Sequence, residues 1–214
     1  MVCINLRNVS QNYKGLGKSA DVLFTALPKP EHVRYVMEES ALMNELKKGT
    51  IWIDHTSTDP DEAVRLSSIA NSKGLKVVEA PLTGGLQLLK IGQMTVLAGG
   101  PAELINETTP LMKSYTDERR ILRMGDYGAA SVVKIITNML AGAHQVLAGE
   151  SVMLAKRHGV DLSPFFDGVR NSAGNSYVFE TEVPLIYNGT YDPGFTIDLH
   201  CKVSIYNIEL ITEI

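Results

Sequence analysis

The first half of the chain alternates short apolar runs with stretches of helical character. Most of the apolar runs are nearly continuous, which is typical of strands covered on both faces of a sheet. Strands that alternate with helices favour βαβ units and a largely parallel sheet, so the pattern predicts an α/β fold. The predicted strands cover residues 21–26, 51–54, 75–80, 94–98 and 120–123, and the predicted helices cover residues 31–46, 61–72 and 101–114.

The pattern changes after Gly125. Residues 128–157 form one predicted helix without proline, and it is apolar nearly all round. Such a helix is expected to be buried on most sides, between domains or between subunits. Another helix is predicted to start at residues 161–164. We therefore expect two domains, an α/β domain over residues 1–124 and an all-α domain over residues 125–214.

Composition and charge exclude several classes of partner. Of the 214 residues, 44% are hydrophobic and 21% are charged, as in ordinary globular domains, and the net charge is −4. This balance predicts no binding to nucleic acid or to an anionic membrane. Neither a transmembrane run nor a secretory signal is recognised, so a cytoplasmic or mitochondrial-matrix protein is expected. The histidines and the two cysteines lack metal-ligand spacing, so no metal is expected.

No typical phosphate-binding glycine loop is found. Gly17-Lys18-Ser19 lacks the glycine that a phosphate loop needs five residues before the Gly-Lys pair, where Asn12 stands. Residues 15–20 fit a looser dinucleotide fingerprint, but they lead into a strand rather than a helix. On the residues alone, this argues against a nucleotide site.

Lys134 and Asn138 are the most informative polar pair. They lie four residues apart on the predicted helix 128–157, so their side chains share one face. A lysine in such apolar surroundings has a lowered pKa and suits a proton donor or acceptor near neutral pH. The alternative is a lysine whose stem lies on apolar surface while its ammonium reaches water.

Small polar residues, glycines and prolines follow three of the predicted strands. They are Leu27-Pro28, Thr56-Ser57 and the segment 80–85, which holds Thr83, Gly84 and Gly85. Ligands of open α/β sheets bind beyond the carboxyl ends of the strands. Together these loops predict a ligand site, although each alone also suits a simple turn.

Taken in order, these segments resemble the β-hydroxyacid dehydrogenase family, which includes 3-hydroxyisobutyrate dehydrogenase. The resemblance runs from about Ala20 to Lys202. It rests on segments 20–30, 54–60, 79–85 and 92–100 and on Gly125, Gly128, Lys134, Asn138 and Lys202.

The resemblance implies a Rossmann domain that binds NAD or NADP, a helical domain that covers it, and a homo-oligomer. It implies hydride transfer between the nicotinamide and a small 3-hydroxy acid such as 3-hydroxyisobutyrate. Lys134 is then the general acid/base, and Asn138 holds the substrate. The implied ligands of the substrate carboxylate are Thr83, Gly84 and Gly85, and the implied cofactor contacts are Leu27, Pro28, Ser57 and Lys202.

The sequence also departs from the family pattern. Thr83 replaces a serine, Glu79 replaces an aspartate, and Val203 stands where an aspartate usually follows Lys202. The first βαβ unit of the family and its last helices are missing from the sequence, so we expect a partial Rossmann sheet and an incomplete helical domain. The alternative function is a non-catalytic or impaired relative that oligomerises through helix 128–157.

Overall fold

Residues 17–189 of the chain are described by a computed structural model. Contacts divide the chain into two units, one that ends at Ile135 and one that begins at Ile136. This division falls inside a single long helix. The boundary at residues 124 and 125 stays a sequence-based prediction. The two units are described separately below.

The strands and helices follow the sequence pattern closely in the first unit. The strands are β1 (Val22–Thr25), β2 (Ile51–Asp54), β3 (Lys76–Glu79), β4 (Leu82–Thr83), β5 (Thr95–Gly99) and β6 (Ile121–Gly125). The α-helices are α1 (Pro30–Arg34), α2 (Leu42–Glu45), α3 (Pro60–Ser72), α4 (Gly85–Lys90), α5 (Ala102–Met112), α6 (Ala129–Arg157), α7 (Leu162–Arg170) and α8 (Tyr177–Asn188). A π-helix (Tyr35–Glu39) and a 3₁₀-helix (Glu118–Arg120) complete the described elements.

Parallel pairing dominates the sheet. Strands β1, β2 and β3 are parallel neighbours, and β5 pairs in parallel with β6. This confirms the α/β class. The fourth predicted strand, β5, nevertheless runs antiparallel to β3 and β4. Only residues 84–94 separate β4 from β5, fewer than the dozen or so that a parallel crossover needs.

Helices cover both faces of the sheet. Side chains alternate along β2, so Trp52 lies in the core under α1 and α3, while Ile53 lies in a second core under α5. Val77 and Val78 of β3 divide between the two cores in the same way. Burial on both faces explains why these strands are continuous apolar runs in the sequence.

Two local predictions are wrong. The single helix over residues 31–46 is broken into α1, the π-helix and α2, because Ala41 takes a left-handed conformation (φ +61°). Ser40 marks the break, since its N–H donates to Tyr35 O in a π-type bond and its hydroxyl donates to Val36 O. The loop expected over residues 80–85 instead holds β4 and the start of α4.

The second unit contains most of α6, together with α7 and α8. Its core is formed by Ala148, Val152, Phe179 and Val183, and Phe166 stacks on Phe179. Burial of α6 on most sides, as predicted, is not found in the single chain. Seven of its large apolar side chains are exposed, namely Ile136, Met139, Leu140, Val146, Leu147, Met153 and Leu154. Between residues 17 and 189, no helix combines the length and the apolar character needed to cross a membrane.

Candidate active site

Polar residues end each of the three neighbouring parallel strands β1, β2 and β3. Thr25, Asp54 and Glu79 close β1, β2 and β3, and the strand register aligns them side by side. All three side chains are buried. Because the carboxyl ends of parallel strands share one edge of the sheet, the strand order by itself gathers these groups.

A hydrogen-bond network joins the loops that follow β1 and β2. Asp54 Oδ1 accepts from the Thr25 hydroxyl (2.7 Å) and from the Thr56 N–H (3.0 Å). Trp52 Nε1–H donates to Thr25 Oγ1, and the Leu27 N–H donates to Thr56 Oγ1 (3.1 Å). The network therefore fixes the two loops that carry the predicted cofactor residues Leu27, Pro28 and Ser57. Sequence reasoning placed Thr56 in a predicted ligand loop but assigned no role to the side chains of Thr25 and Asp54, although a polar residue at the end of an apolar strand is a recognisable pattern.

Asp54 has an unusual protonation equilibrium. Burial raises the pKa of its carboxyl to about 6, because removal from water disfavours the charged form, and the hydrogen bonds from Thr56 and Thr25 oppose this only in part. The neighbouring Glu79 carboxylate raises the pKa further through charge repulsion. Asp54 thus changes charge much closer to neutral pH than an exposed aspartate does.

Glu79 joins the end of β3 to the start of α6. Its Oε2 accepts from the Gly128 N–H (2.8 Å), and its Oε1 accepts from the Ser131 N–H (2.6 Å). These N–H groups belong to the first turn of α6, where no intrahelical acceptor serves them. Burial nevertheless raises the pKa of the Glu79 carboxyl. Sequence reasoning treated Glu79 only as a mild replacement and missed this contact.

A small cavity separates the two carboxylates from α3. Asp54, Glu79, Thr56 and Thr58 supply its polar lining, and Trp52, Ala63, Leu66, Ser67 and Val77 complete it. Its volume of about 10 Å³ is close to the space of one water molecule. The end of the sheet is therefore tightly filled on this face.

Lys134 lies in the second turn of α6 and is buried, with only 9% of its surface exposed. Burial lowers the pKa of its ammonium to about 8, from an ordinary value of 10.5. This is the property that the sequence pattern predicted. Asn138 follows four residues later on the same continuous helix, so the two side chains share a face as predicted.

The segment predicted to hold a carboxylate lies beside β5. Thr83 pairs with Thr95, and Gly84 and Gly85 lead into α4 with positive φ values of 127° and 72°. Nothing lies within 4 Å of the position that a Cβ would occupy on Gly85, so the backbone there is open to close approach. The remaining predicted site residue, Lys202, lies outside the described residues.

His55 connects the backbone after β3 with the Tyr115 side chain and shows no metal-ligand arrangement. Its Nδ1 lies 2.7 Å from Ala80 O, and its Nε2 lies 3.0 Å from Tyr115 Oη. A carbonyl only accepts, so Nδ1 carries the proton and Nε2 accepts from the tyrosine hydroxyl. Burial lowers the pKa of His55, which favours this neutral form. Among residues 17–189, no group of three or more metal-ligating side chains is found.

Two family models match the chain in succession. Residues 5–125 match the NAD-binding domain of 6-phosphogluconate dehydrogenase. Residues 128–206 match the NAD-binding domain of NADP-dependent 3-hydroxyisobutyrate dehydrogenase. Together they confirm that the chain carries domains of the NAD(P)-binding type.

Individual relatives agree with these matches. The chain is 27% identical to 2-(hydroxymethyl)glutarate dehydrogenase of Eubacterium barkeri and 32% identical to L-threonate dehydrogenase of Cupriavidus necator. These matches cover 90% and 87% of the chain but only 64% and 63% of the relatives. The structure of 3-hydroxyisobutyrate dehydrogenase from Salmonella typhimurium superimposes with a TM-score of 0.83 at 26% identity, over 94% of this chain and 70% of that one. This likeness confirms a Rossmann-type sheet followed by helices.

Proposed function

Because the chain belongs to the β-hydroxyacid dehydrogenase family, we propose that it is an NAD(P)-dependent oxidoreductase of small 3-hydroxy acids. One observation carries the proposal, namely the buried Lys134 with its pKa lowered to about 8. A lysine that only stabilises the fold has no need of a pKa near neutrality, whereas a general acid/base works best there.

Lys134 is the proton carrier of this reaction. With a pKa of about 8, Lys134 is a neutral amine in about a tenth of the molecules at pH 7. An ordinary lysine is neutral in only about one molecule in 3,000. The neutral amine takes the proton from the substrate hydroxyl as hydride leaves the carbon. In the reverse direction the ammonium returns that proton to the carbonyl oxygen. The nicotinamide of the cofactor supplies the hydride acceptor or donor when it is bound.

The substrate class follows from what the named relatives share. Hydroxymethylglutarate, threonate and hydroxyisobutyrate each carry a carboxylate and a hydroxyl group. We assign the carboxylate to Thr83, Gly84 and Gly85, where a hydroxyl and two glycines, with open space at the Cβ position of Gly85, suit the close approach of an anion. We assign Asn138 to the substrate as well, because its amide both donates and accepts hydrogen bonds.

The cofactor is assigned to the ends of β1 and β2. Thr56 Oγ1 accepts from the Leu27 N–H, and Asp54 Oδ1 accepts from the Thr56 N–H, so these bonds tie the two loops together, and such preorganisation lowers the cost of binding a ligand. Leu27, Pro28 and Ser57 then contact the nicotinamide and ribose, and Lys202 is assigned to the cofactor from its sequence position. NAD and NADP both remain in the proposal.

The exposed apolar face of α6 favours self-association, so the proposal includes a homo-oligomer. The non-catalytic alternative is not favoured, because the relatives named above are dehydrogenases.

A thermal-shift titration with NAD⁺ and with NADP⁺ tests the proposal first. A ligand at 100 times its dissociation constant stabilises a protein by about 2.7 kcal/mol, which raises the melting temperature measurably. We expect a shift with at least one cofactor, followed by substrate-dependent formation of reduced nicotinamide with 3-hydroxyisobutyrate, L-threonate or 2-(hydroxymethyl)glutarate. A chain that binds neither cofactor and turns over none of these acids overturns the proposal.

A further inference from the structure

We propose that Glu79 is a positioning residue for Lys134, and that it acts by holding the first turn of α6 on the end of β3. This inference rests on the proposed function, in which Lys134 carries the proton. Glu79 does not touch the reacting atoms in this account. Its two carboxylate oxygens instead accept from the N–H groups of Gly128 and Ser131.

Two bonds to one helix end restrict its rotation. Gly128 and Ser131 are three residues apart, so their N–H groups sit on one side of the first turn, and both meet the same buried carboxylate. Tyr127 adds a third attachment to β3, because its hydroxyl donates to Val77 O (3.0 Å). The start of α6 is therefore fixed on the sheet both along its axis and around it.

The surrounding backbone is shaped to admit this carboxylate. A Cβ on Gly99 would lie 2.5 Å from Glu79 Oε2, so any other residue there would push the carboxylate away. Glu79 is also long enough to reach both N–H groups, whereas an aspartate is shorter by about 1.5 Å. Glutamate at 79 and glycine at 99 therefore act together in this chain.

Lys134 is the next residue on the same side of the helix after Ser131. Three residues of α-helix span about 4.5 Å, so a small rotation or slide of the first turn moves the lysine side chain directly. Its pKa of about 8 depends on burial. A loosened helix start admits water to the ammonium and returns the pKa toward its ordinary value.

The test measures the pKa of Lys134 without cofactor or substrate. The intact chain is acetylated with limiting acetic anhydride over a pH series, and the Lys134 peptide is quantified by mass spectrometry. For Glu79→Gln, which keeps the shape but removes the charge and one acceptor, we expect the Lys134 pKa to rise by about one unit or more. Hydrogen exchange at the Gly128 and Ser131 amides is expected to accelerate.

Two further variants separate positioning from general stability. Asp161→Ala removes a bond at another helix start, since Asp161 accepts from the Ser163 N–H of α7, and it is expected to lower the melting temperature while leaving the Lys134 pKa unchanged. Gly99→Ala would place a Cβ 2.5 Å from Glu79 Oε2 and 3.3 Å from Ala130 Cβ, so it displaces the carboxylate and presses on the first turn of α6. It is expected to raise the Lys134 pKa as Glu79→Gln does. Glu79→Asp supplies a milder change should Glu79→Gln fail to fold.

An unchanged Lys134 pKa in the folded Glu79 and Gly99 variants overturns the positioning role. This result is independent of turnover. An active enzyme with an unmoved Lys134 pKa contradicts only the positioning role, whereas an inactive chain in which the pKa moves contradicts only the proposed dehydrogenase activity.

Discussion

The first turns of α6 and the rest of the same helix have similar apolar sequences but different surroundings. Between Ala129 and Ile135 the helix buries Ala130, Ser131, Lys134 and Ile135. From Ile136 onward, seven large apolar side chains are exposed in the single chain. The helix is uniform in secondary structure, so local propensity does not produce this contrast.

The difference in burial between the two parts of α6 comes from polar contacts and close backbone approach at the start of the helix. The start of α6 is held by Glu79 and follows Gly128, where a side chain would be strained by the φ of +90° and by close contacts with Val64 and Pro60. The later turns have no comparable requirement, as Gly149 shows, because nothing lies within 4 Å of its Cβ position. One helix therefore combines a first turn fixed by hydrogen bonds with later turns whose apolar side chains are exposed.

The largest expected effect separates two lysines of this helix. Lys134→Met is expected to lower kcat by about 10²–10⁴-fold, the usual contribution of a general acid/base, and to leave the melting temperature at or above that of the parent because it removes a buried ammonium. Lys156→Met, at the exposed end of the helix, is the matched control and should leave both kcat and melting temperature unchanged.

The pH dependence gives an independent check on Lys134. The pKa of Lys134 in the folded protein is lowered to about 8, so the fraction of neutral amine increases as the pH rises toward that value. The rate of alcohol oxidation should therefore increase up to about pH 8 and then level off. Steady-state rates over the pH range measure this. A flat profile, or equal activity of Lys134→Met and the parent, contradicts the assigned role.

The next prediction concerns Asp54, the buried neighbour of Glu79, whose carboxylate accepts from the Thr25 hydroxyl and the Thr56 N–H rather than from a helix start. Asp54 has a folded pKa raised from 3.8 to about 6, so the stability it contributes is complete below pH 3.8 and is lost as pH rises through 6. Relative to Asp54→Asn, the parent should lose up to about 3 kcal/mol of unfolding free energy over this range. Urea unfolding of both proteins between pH 4 and pH 7 measures the difference, and parallel curves would show that Asp54 titrates normally.

The smallest expected effects compare two glycines. Gly128→Ala forces a left-handed backbone onto alanine and places its Cβ 3.1 Å from Val64, so we expect a loss of about 2 kcal/mol. Gly149→Ala, inside the helix with open space around it, should instead stabilise the fold by about 0.5–1 kcal/mol. Chemical denaturation measures the change in unfolding free energy for both variants. Equal changes at the two positions would contradict the proposed difference in packing between the start of α6 and its later turns.

Much of the first unit was predictable from the sequence. Continuous apolar runs gave β1, β2 and β3, and the Asp59-Pro60 pair located the start of α3, where the Asp59 side chain accepts from two N–H groups. The spacing of Lys134 and Asn138 predicted a shared helix face, and the apolar surroundings predicted a lowered lysine pKa. The break at Ala41 was not predictable, because alanine is a good helix former and its left-handed backbone is imposed by its surroundings.

Hydrophobic periodicity therefore determined the α/β class, most of the elements, and the lysine that the family resemblance also singled out. Periodicity acts along the chain and carries no information on which distant groups meet. The tertiary structure alone decided that β5 runs antiparallel to β3, that Asp54 binds both the Thr25 hydroxyl and the Thr56 N–H, and that Glu79 holds the start of α6. Apart from the local Asp54–Thr56 bond, these contacts join residues 20 or more positions apart in sequence, and buried polar groups adopt them because an unpaired donor or acceptor away from water is costly.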